Sequence, residues 1–323
     1  MGSVRDFRPV FLVIGILLIT LSLAMMVPAI ADRIAGNPDW QVFLAAAVFS
    51  LFLGGCLTLV SRTSDTRISV RQAFVLTTLS WIIIPAFAAL PFVFGDLGLS
   101  YADAYFEAMS GLTTTGSTVI SDLDNAPPGI LLWRSLLQWM GGIGIIVTAI
   151  AILPVLQVGG MQLFRTESSD QSEKVLPRAA ALAGAIFMVY FGLTIVNGIA
   201  YWIAGMTPFQ SICHAMTTIA TGGFSTLDGS IGHFDNAGIE GIATVFMILG
   251  SLPFVLYLQA VRGGFRALLR DTQVRWFLGI ALCVVLALTG WLWSDGGEAP
   301  GHALRMATFN AISVMTGTGY SSA

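Results

Sequence analysis

Three threonine–glycine pairs, Thr115-Gly116, Thr221-Gly222 and Thr318-Gly319, are the residues whose types and spacing suit a chemical task. The task is coordination, with no bond made or broken. Glycine admits φ values that turn backbone carbonyls toward a common axis, and a ring of carbonyls can replace the hydration shell of a potassium ion. Each pair ends a semi-apolar segment, at residues 100–119, 207–226 and 302–322. With Phe106, Ile212 and Phe309 in register the three segments align without a gap, and each reaches its glycine at the same offset. Ser110 and Ser313 also match, with Met216 between them in the second copy. A lone pair would be weak evidence, because Gly and Thr are common at packed transmembrane contacts. Three aligned copies favour pore loops over helix packing.

The elements that position these pairs follow from composition. Hydrophobic residues make up 55% of the 323 and charged residues 10%, with a mean hydropathy of +0.81. Soluble domains carry about 25% charged residues, so the chain reads as an all-α polytopic membrane protein. A net charge of −3 points to no nucleic-acid partner. Seven apolar stretches reach the roughly 20 residues needed to cross a bilayer, at 9–30, 41–61, 71–94, 129–153, 178–204, 237–261 and 274–294. The first outruns the about 7–15 apolar residues of a signal peptide, so it is read as a helix. The threonine–glycine segments follow the third, fifth and seventh stretches and are too short to cross. Each unit is therefore helix, short descending helix, Thr-Gly loop, helix. Non-helical backbone at membrane depth is tolerated only where it is buried in protein or lines a wet cavity. Ser100 with Asp103 resembles a capping box, and Thr207 before Pro208 resembles an N-cap with proline at N1.

Basic residues set the orientation. With the N-terminus in the cytoplasm, 12 of the 15 Lys and Arg residues fall inside; Arg33, Arg134 and Arg305 fall outside. The positive-inside rule then favours a cytoplasmic N-terminus. Twelve of the 18 acidic residues face outward, among them Asp32, Asp39, Asp96, Asp124, Asp228, Glu240 and Asp295. They suit either a cation-collecting mouth or plain solubility of the outer loops.

Other residues admit plainer readings. Cys56, Cys213 and Cys283 have no metal-ligand spacing and read as small buried side chains. Gly141, Gly142 and Gly144 suit close packing behind the first loop, with a gating hinge as the alternative. Glu107, an ionisable group at membrane depth, is either functional or a structural partner for neighbouring backbone or Arg134. His214 and His233 lack the close third partner a metal site needs, and no HExxH or GxSxG motif occurs. The chain is therefore read as a non-enzyme without a cofactor. The basic segment from Arg262 to Arg270 reads as topogenic charge, or as a docking surface for a cytosolic partner or anionic lipid.

GLTTTGST (111–118), QWMGGIGIIV (138–147), MTTIATGGFST (216–226) and ISVMTGTGYSSA (312–323) resemble the Trk/Ktr/HKT superfamily of potassium transporters, and within it the bacterial TrkH/TrkG subunits. The resemblance implies pseudo-four-fold helix–pore-loop–helix units around one pore, each with one filter glycine, preceded by two extra helices. It places Gly116, Gly222 and Gly319 at three of those glycines, and the backbones of Thr114–Thr115, Ala220–Thr221 and Gly317–Thr318 in the potassium-coordinating stretch. It also implies a homodimer, a cytosolic nucleotide-binding regulatory ring of the TrkA kind, and a bacterial inner-membrane location. The expected division is residues 1–65 for the two extra helices, then pore units at 66–160, 161–265 and 266–323. The third unit lacks its second helix and a fourth unit is absent from this sequence, so gating residues are not assigned. The function expected is potassium uptake, channel-like or by symport. The alternatives are a non-conducting structural or regulatory fragment and an ion-coupled secondary transporter. The second is disfavoured by three units of one orientation and by helices nearly free of charge at mid-span.

Overall fold

A computed structural model of the chain describes residues 7–63, 68–156, 175–264, 268 and 270–322. Among them the regular structure is helical, without a strand. The chain opens with a hairpin of α1 (Arg8–Ala35) and α2 (Trp40–Val60). The two helices approach closely because neither Gly15 nor Gly54 carries a Cβ: one on Gly15 would stand 2.8 Å from the Gly54 carbonyl, and one on Gly54 2.9 Å from the Gly15 carbonyl. Between helices in lipid, where no hydrophobic effect drives association, small residues at the contact allow this packing. Ser22 adds a hydrogen bond to the Ala47 carbonyl at 2.7 Å.

The first unit begins with α3 (Val70–Ala88), capped by a Ser69/Gln72 capping box, and its continuation α4 (Leu90–Phe94). The short α5 (Tyr101–Leu112) follows, then α6 (Pro128–Leu156). The second unit has α7 (Val175–Ile203), short α8 (Pro208–Ile219), α9 (Ala237–Ser251) and α10 (Phe254–Gly263). The third has α11 (Thr272–Ser294) and α12 (Pro300–Thr316). At about 1.5 Å per residue, α5 and α8 reach little more than half of a roughly 30 Å hydrocarbon core. They dip into the membrane without crossing it.

A buried cluster of Phe43, Phe92, Trp133 and Leu137 joins the N-terminal hairpin to the first unit. Trp133 donates its indole N–H to the Ala88 carbonyl at 2.9 Å, which gives that ring the polar partner it needs when buried. Trp276, Leu282, Leu286 and Trp291 of α11 are exposed.

Three expectations need correction. Five described helices are long and apolar enough to cross a membrane, or six with one bent pair; the stretch 237–261 is not one straight span. It breaks between α9 and α10 with a bend of 92°. Pro253 lacks an N–H and forces Leu252 into extended backbone, φ −75° and ψ 148°, which ends the helix. Cys213 is buried, but Cys56 and Cys283 are exposed, on apolar membrane-length helices whose outer surface accepts a small apolar side chain as readily as a core does. The third short helix starts at Pro300, two residues ahead of the semi-apolar segment expected from residue 302, because proline is preorganised for a first helical position. Of the basic segments, Arg5, Arg67, Arg165, Lys174 and Arg266 lie outside the described residues, as do the expected boundaries at 65/66, 160/161 and 265/266.

Candidate functional site

The short helices α5, α8 and α12 each hand the chain to a loop of the same build. The outer ends are fixed first. Ser100 accepts from the Asp103 N–H at 3.2 Å and donates to its carboxylate at 2.7 Å. Thr207 and Gln210 form a full capping box, with Pro208 at the first helical position. Ala299 precedes Pro300 without a side-chain cap.

At the inner ends the loops repeat one backbone pattern. Left-handed φ occurs at Thr114 (54°) and Gly116 (80°), at Thr221 (51°) and Gly223 (77°), and at Gly317 (76°) and Gly319 (80°). The residue between each pair has ordinary negative φ. Such alternation allows successive carbonyls to be turned the same way, and Thr114 and Thr221 hold it as non-glycine residues at a conformational cost of the kind concentrated at functional sites. The loops begin alike, with the Thr114, Thr221 and Gly317 N–H groups bonding the Gly111, Thr218 and Val314 carbonyls. The next anchor runs from Thr115 to Ser110 and from Gly222 to Thr217, but in the third loop from Gly319, one residue later, to Ser313. Ser110 also donates to the Ser117 carbonyl at 2.6 Å, and Ser313 to the Tyr320 carbonyl at 2.7 Å.

This pattern moves the second unit by one residue from the register read in the sequence. Gly223, and not Gly222, corresponds to Gly116 and Gly319; Gly222 corresponds to Thr115 and Thr318; Thr217, and not Met216, corresponds to Ser110 and Ser313. The reason is conformational. Gly222 has ordinary φ, while Gly223 takes the left-handed one. The hydroxyl row Ser110, Thr217, Ser313 was the signal in the sequence that could have identified it.

Neighbouring loops touch backbone to backbone. A Cβ on Gly116 would run into the Gly222 carbonyl, and one on Gly223 into the Thr318 carbonyl. Gly116 and Gly223 thus each seat a carbonyl of the next unit, whereas nothing in the described residues stands where a Cβ on Gly319 would lie. Below the loops, Thr114, Ala220, Thr221 and Thr316 line a cavity of about 510 Å³, closed on another side by Gly250 to Val255 at the break between α9 and α10.

The loops rest on buried polar networks. Glu107 and Arg134 are both buried and meet at 2.7 Å, so the structural reading of Glu107 holds. Glu107 also accepts from the Val119 N–H at 3.0 Å and from Thr118. Arg134 donates to the Ser225 carbonyl at 2.8 Å and lies 4.0 Å over the Phe224 ring. His214 is buried, with Nδ1 at 2.9 Å from the Gln210 carbonyl and Nε2 at 3.1 Å from the Ser225 hydroxyl. The Tyr320 hydroxyl lies within hydrogen-bond reach of Thr217 and Thr218 and donates to the His214 carbonyl at 3.3 Å.

Gly141 packs against the Leu112 carbonyl and Gly142 against Ala220, whereas Gly144 has open space around its Cα. The packing expectation thus fits the first two glycines. Several of the carboxylates expected to face outward have structural partners: Asp32 accepts from the Gly129 N–H, Asp39 from Asp96, Asp228 from Leu123, and Glu240 from Arg305. Asp39 lies outside the spans, and its pKa is raised chiefly by burial. Gln138, fully buried on α6 and bonded to the second loop, was not singled out in the sequence; a lone amide in an apolar helix was its only signal there.

The family model described as TrkH, cation transport protein, matches residues 39–323. The chain is 43% identical over 321 residues to the Trk system potassium uptake protein TrkI of Halomonas elongata, covering 99% of this chain and 65% of that protein. It is 36% identical to the Trk system potassium uptake protein TrkH of Escherichia coli K12, over 97% of this chain and 66% of that one. The crystal structure of the potassium transporter TrkH from Vibrio parahaemolyticus superposes with a TM-score of 0.90 at 35% identity, covering 99% of this chain and 66% of that one. The chain thus spans about two thirds of the length of the curated relatives it matches. Its three anchored loops, its helical order and these matches make it a member of the TrkH cation transport protein family.

Proposed function

We propose that the chain contributes three of the loops of a potassium-selective uptake path in the cell inner membrane, with its N-terminus in the cytoplasm. The observation that carries this reading is the shared left-handed alternation, with a glycine of one loop seating a carbonyl of the next. The ligands are backbone carbonyls drawn from Thr114, Thr115 and Gly116, from Thr221, Gly222 and Gly223, and from Gly317, Thr318 and Gly319. Ala220 falls one position before this set, and its carbonyl accepts the Thr221 hydroxyl at 2.8 Å. The C-terminal ends of α5, α8 and α12 meet at the loops, and their partial negative charge favours a cation there. Carbonyls in place of water ligands then select by the number and spacing of dipoles. The relatives' names, all Trk system potassium uptake proteins, support potassium as the ion. A second copy of the chain and a cytosolic nucleotide-binding ring of the TrkA kind belong to the same proposal.

The test is growth and tracer uptake in bacteria stripped of their own potassium uptake systems and expressing this chain joined to the remaining third of a TrkH-family protein. Growth at limiting potassium, with potassium accumulated well ahead of sodium, supports the reading. Protein found in the membrane without cation uptake above the vector control overturns it.

A further inference from the structure

We propose that Gln138 is a positioning residue for ion selection: from the second helix of the first unit, its carboxamide fixes the permeation loop of the second. This rests on the proposed reading of the loops as a cation path. Gln138 is fully buried. Its Nε2 donates to the Gly222 carbonyl at 2.6 Å, and its Oε1 accepts from the Phe224 N–H at 3.1 Å. A carbonyl on one side and an N–H on the other admit one orientation of the amide. The two bonds bracket Gly223, the left-handed residue of that loop. One turn earlier on α6, Arg134 holds the Ser225 carbonyl, so α6 grips the loop at residues 222, 224 and 225.

The clamp also explains why residue 222 is glycine although its φ is ordinary. A Cβ there would collide with the Gln138 carboxamide carbon and oxygen. The carbonyl that Gln138 holds is the one seated against Gly116, so the amide sets the fit between two loops at once. The arrangement is not repeated one unit on. Gly141 packs against the Leu112 carbonyl at the end of α5, and Gly250 against the Ile219 carbonyl at the end of α8. Counting three residues back from each gives Gln138 and Met247. Met247 is apolar and buried with Phe309, Ile312 and Tyr320. There the third loop is held from its own side, by the Tyr320 hydroxyl on Thr217 and Thr218. A buried amide hydrogen bond across a membrane helix contact competes with no water, and losing it leaves a carbonyl and an N–H unsatisfied. The loop would relax to recover partners, and its carbonyls would move with it.

The experiment measures potassium-over-sodium preference and total alkali-cation flux in proteoliposomes. It compares the full chain with Gln138→Met, Gly222→Ala and Gln138→Ala/Gly222→Ala, each normalised to folded protein in the membrane. Gln138→Met keeps length and apolar packing and removes both bonds. We expect it to lower the preference by about tenfold, the weight of one buried hydrogen-bond partner left unmade. Gly222→Ala should do the same by displacing the amide. In the double variant the truncated side chain makes room for the methyl, so its loss should stay near that of one single variant and fall short of their product. Unchanged preference in both single variants, or a double variant whose loss is the product of the two, would overturn the clamp. Were the parent to prefer another alkali cation, the function reading would fail, while the variants' shift in that preference would still judge Gln138.

Discussion

Glu107 on α5 and Arg134 on α6 meet at 2.7 Å with both side chains wholly buried, and Arg134 passes the contact on to the Ser225 carbonyl of the next unit. Burying two charges is favourable only when both are paired and hydrogen-bonded, and removing one partner strands the other. Glu107→Gln or Arg134→Met alone should therefore cost roughly 3–5 kcal/mol of stability. The pair together should cost less than the sum, because no lone charge remains. Thermal unfolding of purified variants in detergent checks this; additive losses would mean that the two side chains act separately.

The left-handed glycines make a second case. Gly116→Ala and Gly223→Ala place a methyl on positive-φ backbone and against a carbonyl of the neighbouring loop. Each should reduce potassium-over-sodium discrimination by roughly five- to a hundredfold, since strain of this kind costs on the order of 1–3 kcal/mol. Gly144→Ala is the control, because open space surrounds that position. Tracer uptake of both ions in one preparation reads the ratio directly, and equal ratios across all three variants would remove the glycines from the path.

Tyr320 ties the third loop to the back of α8. Tyr320→Phe deletes the hydroxyl that Thr217, Thr218 and the His214 carbonyl share. The variant should lose about 1–3 kcal/mol, the cost of buried polar groups left unsatisfied. Its ion preference should fall along with its Tm. A lower Tm with an unaltered preference would confine Tyr320 to folding.

Sidedness follows from the basic residues. With Cys56 and Cys283 replaced by serine, Asp124→Cys and Asp295→Cys should react with an impermeant thiol reagent added to intact cells, and Arg62→Cys should be protected. All three positions are exposed, so accessibility alone does not decide the result. The opposite pattern would invert the topology.

How much of this was legible beforehand differs from residue to residue. The short helices were readable because their outer ends carry explicit caps, at Ser100 and at Thr207-Pro208. Their inner ends were readable because Thr-Gly recurs after each. The second register was not, because Gly222 and Gly223 stand side by side, and composition cannot say which of two glycines takes positive φ. Only the bond from the Gly222 N–H to the Thr217 carbonyl and the φ values separate them. The break after Ser251 was hidden by hydropathy, which counts Leu252 and Pro253 as ordinary members of an apolar run. The Glu107–Arg134 pair was one of two open readings for Glu107, since residues 27 apart in sequence meet only through the return of α6 along α5. Gln138 carried no local signal beyond its polarity, because its hydrogen-bond partner lies in a loop 84 residues away.

The right-angle turn at Leu252–Pro253 has an electrical consequence. The residues at that turn, 250–255, line the same cavity as Thr114, Thr221 and Thr316. Water in such a recess holds it near the potential of the solution it joins. The membrane voltage would then drop mainly across the few residues of the proposed path and not over the full thickness of the bilayer. At about 2.3 kcal/mol per elementary charge per 100 mV, a cation in the proposed path would spend most of that energy within the stretch where its ligands are backbone. Voltage dependence and ion preference would then arise at the same residues, and a substitution that shifts one should shift the other.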